Sequence, residues 1–241
     1  GDDVPEPASV AGVITVPFDP AHPPTAALPV ALALAGPAGF AVESVASPAP
    51  GLAESCGAYL AARHREIAHA GVVAAPVHEL DWPPADAIVR HVADGHTSFL
   101  CMATHGRGVV AGWALGSVAS EVVSRSPVPV VLVGPAVRHA GTPIRHVLAA
   151  TDAWSVAGAA HSAAERLAGL LGADLDVVDV QDDREGVRTL AARAGAKGDT
   201  LVVVACHPGE GHGRAAAGSP ARELARHAAC PVMVVPTEAA G

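Results

Sequence analysis

The stretch Phe99-Leu-Cys-Met-Ala-Thr-His-Gly-Arg-Gly-Val-Val-Ala-Gly-Trp-Ala-Leu-Gly-Ser-Val-Ala-Ser-Glu-Val-Val-Ser-Arg-Ser-Pro-Val-Pro-Val-Val-Leu-Val133 decides how the rest of the chain is read. It opens with an apolar run, Phe99–Ala103, and passes through a glycine-rich turn at Gly106 and Gly108. It continues as a predicted helix, Ser117–Ser126, and closes with the continuous apolar run Val128–Val133. Runs that are apolar on both faces and separated by helices argue for a parallel sheet covered on each side.

The same alternation extends in both directions. Upstream, Val13–Val16 and Phe40–Val45 read as strands around the Ala/Leu-rich segment Thr25–Ala35, with Gly36-Pro37 as its stop. Leu52–Ala70 is predicted helical, with Leu52, Cys56, Tyr59, Leu60, Ile67 and Ala70 on one broad face and Gly71 ending it. Val72–Val77 is predicted as a strand and Pro84–Ala93 as a helix. Downstream of a Gly/Pro-containing polar stretch, Gly134–Gly141, the pattern restarts. Strands are expected at Val147–Ala150, Leu175–Val180, Leu201–Ala205 and Val232–Val235, and helices at Ser155–Leu171, Arg184–Ala194 and Pro220–Ala228.

Counting supports an internal repeat. Gly116-Ser117 precedes Pro129-Val130-Val131 by 13 positions, and Gly218-Ser219 precedes Pro231-Val232-Met233 by 13. Ala103 lies 13 before the first Gly-Ser, and Ala205 lies 13 before the second. Asp19 and Asp152 each follow the first strand of their half. The span from Asp to Gly-Ser is 97 residues in the first half and 66 in the second, a shortfall of 31. That is close to one strand-plus-helix unit, placed where Gln181–Gly198 offers a single helix.

Composition narrows the function. The 241 residues are 50% hydrophobic, 16% charged and 3% aromatic, which describes a globular chain. The formal net charge is −9 and the sole lysine is Lys197, so a basic groove for nucleic acid is not expected. Any anion bound here must be held by backbone N–H groups and helix ends more than by cations. The four cysteines show no C-x-x-C spacing, and Cys101 and Cys206 read as strand-end thiols of a reducing compartment. The longest apolar stretch, Ala26–Val42, is broken by Pro29, Gly36, Pro37 and Gly39 and is no membrane span. No secretory leader is visible, and Gly1 in place of an initiator Met reads as a tag remnant, so the cytoplasm is the expected location.

Two constellations can carry chemistry. In the first, Gly106 and Gly108 allow consecutive N–H groups to converge on a phosphate, and Gly116-Ser117 opens a helix whose N-terminus favours negative charge. The same letters also make an ordinary turn followed by an ordinary N-cap. In the second, Val16-Pro17-Phe18-Asp19 ends the first strand, where a carboxylate can accept from ribose hydroxyls or an exocyclic amine. Alternatively, Asp19 caps the next helix. Weaker signals are Cys206-His207 with His212 as soft metal donors, His105 in the loop, and Asp182-Asp183 with Glu185. No metal site is expected from them. There is no G-x-S-x-G elbow and no Walker lysine, so catalysed phosphoryl transfer lacks its usual charge-neutralising groups.

The segment Met102–Val123 followed by Pro127–Val133 resembles the signature of the universal stress protein (UspA-type) family, G-x-x-G-x9-G-[S/T] in its ATP-binding members. Gly106, nine residues and Gly116-Ser117 match, while Ala103 stands at the first glycine. Val16–Asp19 is similar to the family's first-strand motif. With the repeat, the resemblance covers nearly the whole chain as a tandem protein. It implies an adenine-nucleotide pocket in the first domain. Pro17 and Asp19 would flank the nucleoside, the backbone around Phe40–Val42 would meet the adenine, and Met102 and Ala103 would line the strand end. Gly106, Gly116, Ser117 and Val118 would receive the phosphates. Two departures stand out: the methyl of Ala103, and an apolar loop carrying Val109, Val110 and Trp113. In the second copy, Ala205-Cys-His-Pro208-(nine residues)-Gly218-Ser219, proline replaces the middle glycine and removes a donor, so that copy is expected to be structural.

The expected architecture is therefore two α/β domains with doubly wound, Rossmann-like parallel sheets of the adenine nucleotide alpha hydrolase-like kind. Residues 1–137 form the first and residues 138–241 the shortened second. The resemblance further implies ATP or AMP as ligand, with Mg²⁺ accompanying the nucleotide. It also implies an intrachain pseudo-dimer through the two terminal strands, with a homodimer as a further option. The function expected is stress-associated regulation without efficient catalysis. The alternative is a scaffold or interaction protein that keeps the fold and has lost the ligand, and a slow ATPase ranks last.

Overall fold

A computed structural model describes residues 10–21, 26–104, 116–151, 157–180, 184–195, 197–206, 224–225 and 227–237. Strand β1 (Val13–Phe18) leads through helix α1 (Ala27–Ala38) to β2 (Ala41–Ala46), then α2 (Ala53–His69) and the short β3 (His78–Glu79). Helix α3 (Pro84–Ala93), β4 (Thr97–Ala103), α4 (Ser117–Arg125) and β5 (Val130–Val133) complete the first half. The second half runs β6 (His146–Thr151), α5 (Ala157–Leu171), β7 (Asp174–Asp179), α6 (Arg184–Gly195), β8 (Thr200–Cys206) and β9 (Val232–Pro236).

Two elements differ from their sequence reading. Gly36-Pro37 does not stop α1, which continues to Ala38 and ends on Gly39 in the left-handed conformation. Pro37 falls in the last turn, where its missing N–H removes one bond only, and the N–H groups of Gly39 and Phe40 close the end on the Ala35 carbonyl. Val72–Val77 is not a continuous strand. It makes an isolated bridge between Val42 and Ala74, and regular pairing resumes only at His78. Pro76 explains the gap, because proline has no N–H to give a ladder.

Among the described residues the strands form one nine-stranded sheet in the order β3-β2-β1-β4-β5-β9-β8-β6-β7. Neighbours are parallel except β5 and β9, which pair antiparallel with Val131 opposite Met233 and Leu132 opposite Val232. The two halves thus share one sheet. Both terminal strands are fully apolar over Val130–Val133 and Val232–Val235, and left as free edges they would invite association with other chains. Pairing them buries both. The outer edges are blunted differently: β3 has two residues, and β7 carries Asp174, Asp176 and Asp179. Between β2 and β4 the chain places α2, β3 and α3, whereas between β7 and β8 the described chain places α6.

Helices cover both faces, as expected for a mostly parallel sheet. One core joins α1, Ile67 of α2 and α5 with Ile14, Val16, Val42, Val131, Val147, Leu201 and Met233. The opposite core joins α3, α4 and α6 with Leu100, Val130, Leu148, Val202 and Val232. Each core crosses the β5–β9 seam, so apolar burial fuses the halves on both faces.

Candidate functional site

Strand β1 is where the chain reverses direction across the sheet, having β2 and β3 on one side and β4 and β5 on the other. Helices leave a parallel sheet on opposite faces at such a point, and the carboxyl ends of the strands diverge into a crevice. A cavity of about 450 Å³ lies there. Pro17, Phe18 and Asp19 line it from the end of β1, Val45, Ala46 and Ser47 from the end of β2, and Met102, Ala103 and Thr104 from the end of β4. Gly116, Ser117, Val118 and Ala119 close one wall at the start of α4, and Tyr59, Trp82, Pro84 and Ile88 close the other. Its volume is in the range of roughly 300–1,000 Å³ that small-ligand sites take.

The wall at the start of α4 is built by a close backbone approach. Gly116 donates its N–H to the Thr104 carbonyl at 2.7 Å, and a Cβ on Gly116 would stand 2.9 Å from that oxygen. A side chain does not fit there without moving the strand end. Gly116 is the N-cap of α4, and no side chain caps the helix. As at any helix start, the N–H groups of Ser117, Val118 and Ala119 have no acceptor inside the helix. They are positive partial charges at the cavity wall, together with the macrodipole. Among the described lining residues there is no lysine or arginine. An anion seated here would be held by amides.

The opposite wall is apolar with a few polar atoms. Asp19 accepts from the Ala21 N–H at 2.9 Å. It does not cap α1, which begins only at Ala27 with Ala26 as its N-cap. Tyr59 packs edge-on to Phe18 at 6.0 Å, and the Arg63 guanidinium lies 5.4 Å over its ring. Burial pushes the Tyr59 phenol up from its ordinary range. Its hydroxyl is buried and has no hydrogen-bond partner among the described residues. Such an orphan is costly unless something accepts or donates to it. Ser47 Oγ donates to the Asp81 carbonyl and ties the Trp82 loop to the end of β2.

Seven expected residues, Pro17, Asp19, Met102, Ala103, Gly116, Ser117 and Val118, are brought together around this cavity. Gly106 lies outside the described residues. So do His105, Asp152, Asp182, Asp183, His207, Pro208, His212, Gly218 and Ser219. Phe40 and Val42 are not brought to the cavity. Phe40 precedes β2 and packs edge-on to Phe99 at 5.3 Å, and Val42 is buried in the α1 core. A strand rises about 3.3 Å per residue, so the cavity meets β2 some three to five residues further on, at Val45–Ser47. The rule that ligands sit at carboxyl ends pointed to this end of β2. Tyr59, Trp82 and Thr104 carried no local motif and become lining residues only through the tertiary fold.

Nearer the opposite end of β2 a second polar cluster has no counterpart in the sequence reading. Glu43 is 2% exposed on the middle of the strand. Thr15 Oγ1 donates to Glu43 Oε2 at 2.6 Å and lies 2.9 Å from Thr97 Oγ1. His91 Nε2 is 3.0 Å and His96 Nε2 3.4 Å from Glu43 Oε2, and His78 Nε2 is 3.3 Å from Oε1. Burial pushes the Glu43 carboxyl up, but the hydrogen bonds from His91 and Thr15 and the charges of His91 and His96 outweigh it, and the net shift is downward. The bond to Glu43 raises His91, against its own burial.

The model of the universal stress protein family matches residues 13–134. The fold is similar to that of a universal stress protein from Archaeoglobus fulgidus DSM 4304, over 94% of this chain and 97% of that one, with 19% identity and a TM-score of 0.66. It is also similar to a putative universal stress protein from Pseudomonas aeruginosa UCBPP-PA14, over 93% of this chain and 92% of that one, with 15% identity and a TM-score of 0.60. At these identities the likeness is one of fold. No curated protein sequence matches the chain.

Proposed function

The chain belongs to the universal stress protein family, and from that membership we propose that it is a stress-associated regulatory protein whose first half, residues 1–137, binds ATP or a related adenine nucleotide without efficient catalysis. The observation that carries this reading is the cavity itself. It gathers the Asp19 carboxylate, the end of β4 and the amide-rich start of α4 around one space, with no cation on the described lining. In this reading the Asp19 carboxylate accepts from ribose hydroxyls. The base lies against Val45–Ser47, with the aromatic rings of Tyr59 and Trp82 beside it. The phosphates take the N–H groups of Ser117 and Val118 and the Gly106 loop. A Mg²⁺ ion arriving with the nucleotide would neutralise phosphate charge. The described lining holds no general base beyond Asp19 and no cationic clamp, which suits retention of a nucleotide more than its turnover.

The second half, residues 138–241, is read as a shortened copy that meets the first as an intrachain pseudo-dimer along β5 and β9. The matching strand order on either side of that seam supports this. Cys56, Cys101 and Cys230 are free and buried, which suits the reducing cytoplasm. No helix among the described residues is long and apolar enough to cross a membrane.

Thermal denaturation with and without Mg²⁺-ATP tests the reading. A ligand at about 100 times its Kd adds about 2.7 kcal/mol to stability, so the midpoint should rise by several degrees. Gly106→Pro should remove the rise, because it deletes a donor and a conformation from the phosphate loop, and Ser219→Ala should leave it unchanged. No rise at millimolar ATP would overturn nucleotide binding and favour the scaffold role.

A further inference from the structure

We propose that Glu43, His91 and His96 form a binding site for a divalent transition-metal ion of the zinc class, separate from the nucleotide cavity. One oxygen and two imidazole nitrogens from these residues lie within 4.8 Å of one another. A zinc ion with bonds of about 2.0–2.1 Å in tetrahedral geometry holds its donors about 3.3 Å apart. The carboxylate-to-nitrogen distances, 3.0 Å to His91 and 3.4 Å to His96, already bracket that spacing. Small side-chain rotations would admit an ion.

The surroundings are built for this as well. Glu43 is buried, so its charge needs a compensating partner, and Thr15 with Thr97 behind it fixes the carboxylate from the sheet side. Hydrogen-bonded outer residues of this kind orient metal ligands. The three donors come from different elements: Glu43 from β2, His91 from the last turn of α3, and His96 from the turn entering β4. His78 of β3 stands at the other carboxylate oxygen, with its ring 5.2 Å from that of His91, and the ring of His96 is 4.9 Å from His91 on the other side. Three imidazoles therefore converge on one buried carboxylate, a donor set that a transition-metal dication accepts as neutral nitrogens and one oxygen. His96 and His78 are 43% and 47% exposed, which gives an ion a path from solvent and leaves a position for water. Two nitrogens and a carboxylate select zinc, cobalt or nickel over magnesium or calcium, which take all-oxygen shells. None of Glu43, His91 and His96 lines the cavity, whose nearest lining residue on β2 is Val45, two positions and about 7 Å further along the strand, so the metal site is distinct from the nucleotide cavity.

The test uses the full chain, stripped of metal and free of nucleotide, titrated with Co²⁺ and then Zn²⁺. One Co²⁺ per chain should bind with the visible absorption of a four- or five-coordinate site, and one equivalent of Zn²⁺ should bleach it. His96→Ala, at an exposed position, and His91→Ala should each weaken Co²⁺ binding at least tenfold, while His64→Ala on α2 should not change it. Absence of the visible bands at millimolar Co²⁺, or bands that survive both His91→Ala and His96→Ala, would overturn the site. Glu43→Gln repeats the test at the carboxylate, and its fold is checked by the thermal midpoint. His96→Ala should retain the stabilisation by Mg²⁺-ATP, so the metal and nucleotide readings can fail separately.

Discussion

Gly116 has backbone angles that any residue adopts, φ −59° and ψ 153°, so the demand for glycine there comes from space, with the Thr104 carbonyl 2.9 Å from where a Cβ would sit. The neighbouring departure runs the other way, since Ala103 stands on the lining where the family signature has glycine. Ala103→Gly should therefore tighten ATP binding severalfold, measured by isothermal titration, and an unchanged or weaker affinity would show that the methyl does not face the ligand. The thiols give a prediction of another kind. Burial pushes Cys56 up to about 11 and Cys230 up to about 12, and Cys101 higher still, with Glu79 adding to the effect at Cys56. A raised pKa lowers the thiolate fraction at any pH below it, and thiolate is the reactive form. At pH 8 these three should alkylate in the folded protein at least tenfold more slowly than in denaturant, residue by residue in peptide mass spectra. At this scale the residues that the sequence singled out by motif, Asp19 and Gly116-Ser117, line one cavity. The sequence did not disclose Tyr59 or Glu43 and its histidines, because their meaning depends on neighbours 28 to 53 positions away.

Strand β5 illustrates how much of an element its own letters determine. Val130–Val133 is apolar at every position, which identifies a fully buried strand but not its partner, and pairing with β9 in antiparallel register is a tertiary choice. The failures were local and physical: Pro37 is tolerated because it falls in a last turn, and Pro76 breaks a β-branched run that otherwise reads as a strand. The letters located β2, and the cavity at its carboxyl end meets Val45–Ser47, three to five residues beyond Val42, while Phe40 and Val42 pack away from it. A fragment of residues 1–137 would expose the β5 edge that β9 covers. It should associate into dimers or larger species by light scattering. A fragment that stays monomeric would show that the seam contributes little.

Across the whole molecule, both cores run through the β5–β9 seam, so the two halves should unfold together in one transition, with calorimetric and van't Hoff enthalpies in agreement. Two resolved transitions would mean that the halves are independent. The alternation of apolar strands and helices was enough to read a layered, mostly parallel α/β architecture. Fusion of the halves into one sheet was beyond periodicity, because it depends on which edges meet. The central claim is that amides at the start of α4, and not basic side chains, seat the phosphates of a nucleotide. Ser117→Asp isolates it, since a carboxylate in the first turn suits the helix dipole yet opposes a triphosphate at the same amides. Equilibrium titration with Mg²⁺-ATP should give one nucleotide per wild-type chain. In the variant, affinity should fall at least tenfold while the thermal midpoint without ligand is kept or raised, and unchanged affinity in the variant would contradict the account.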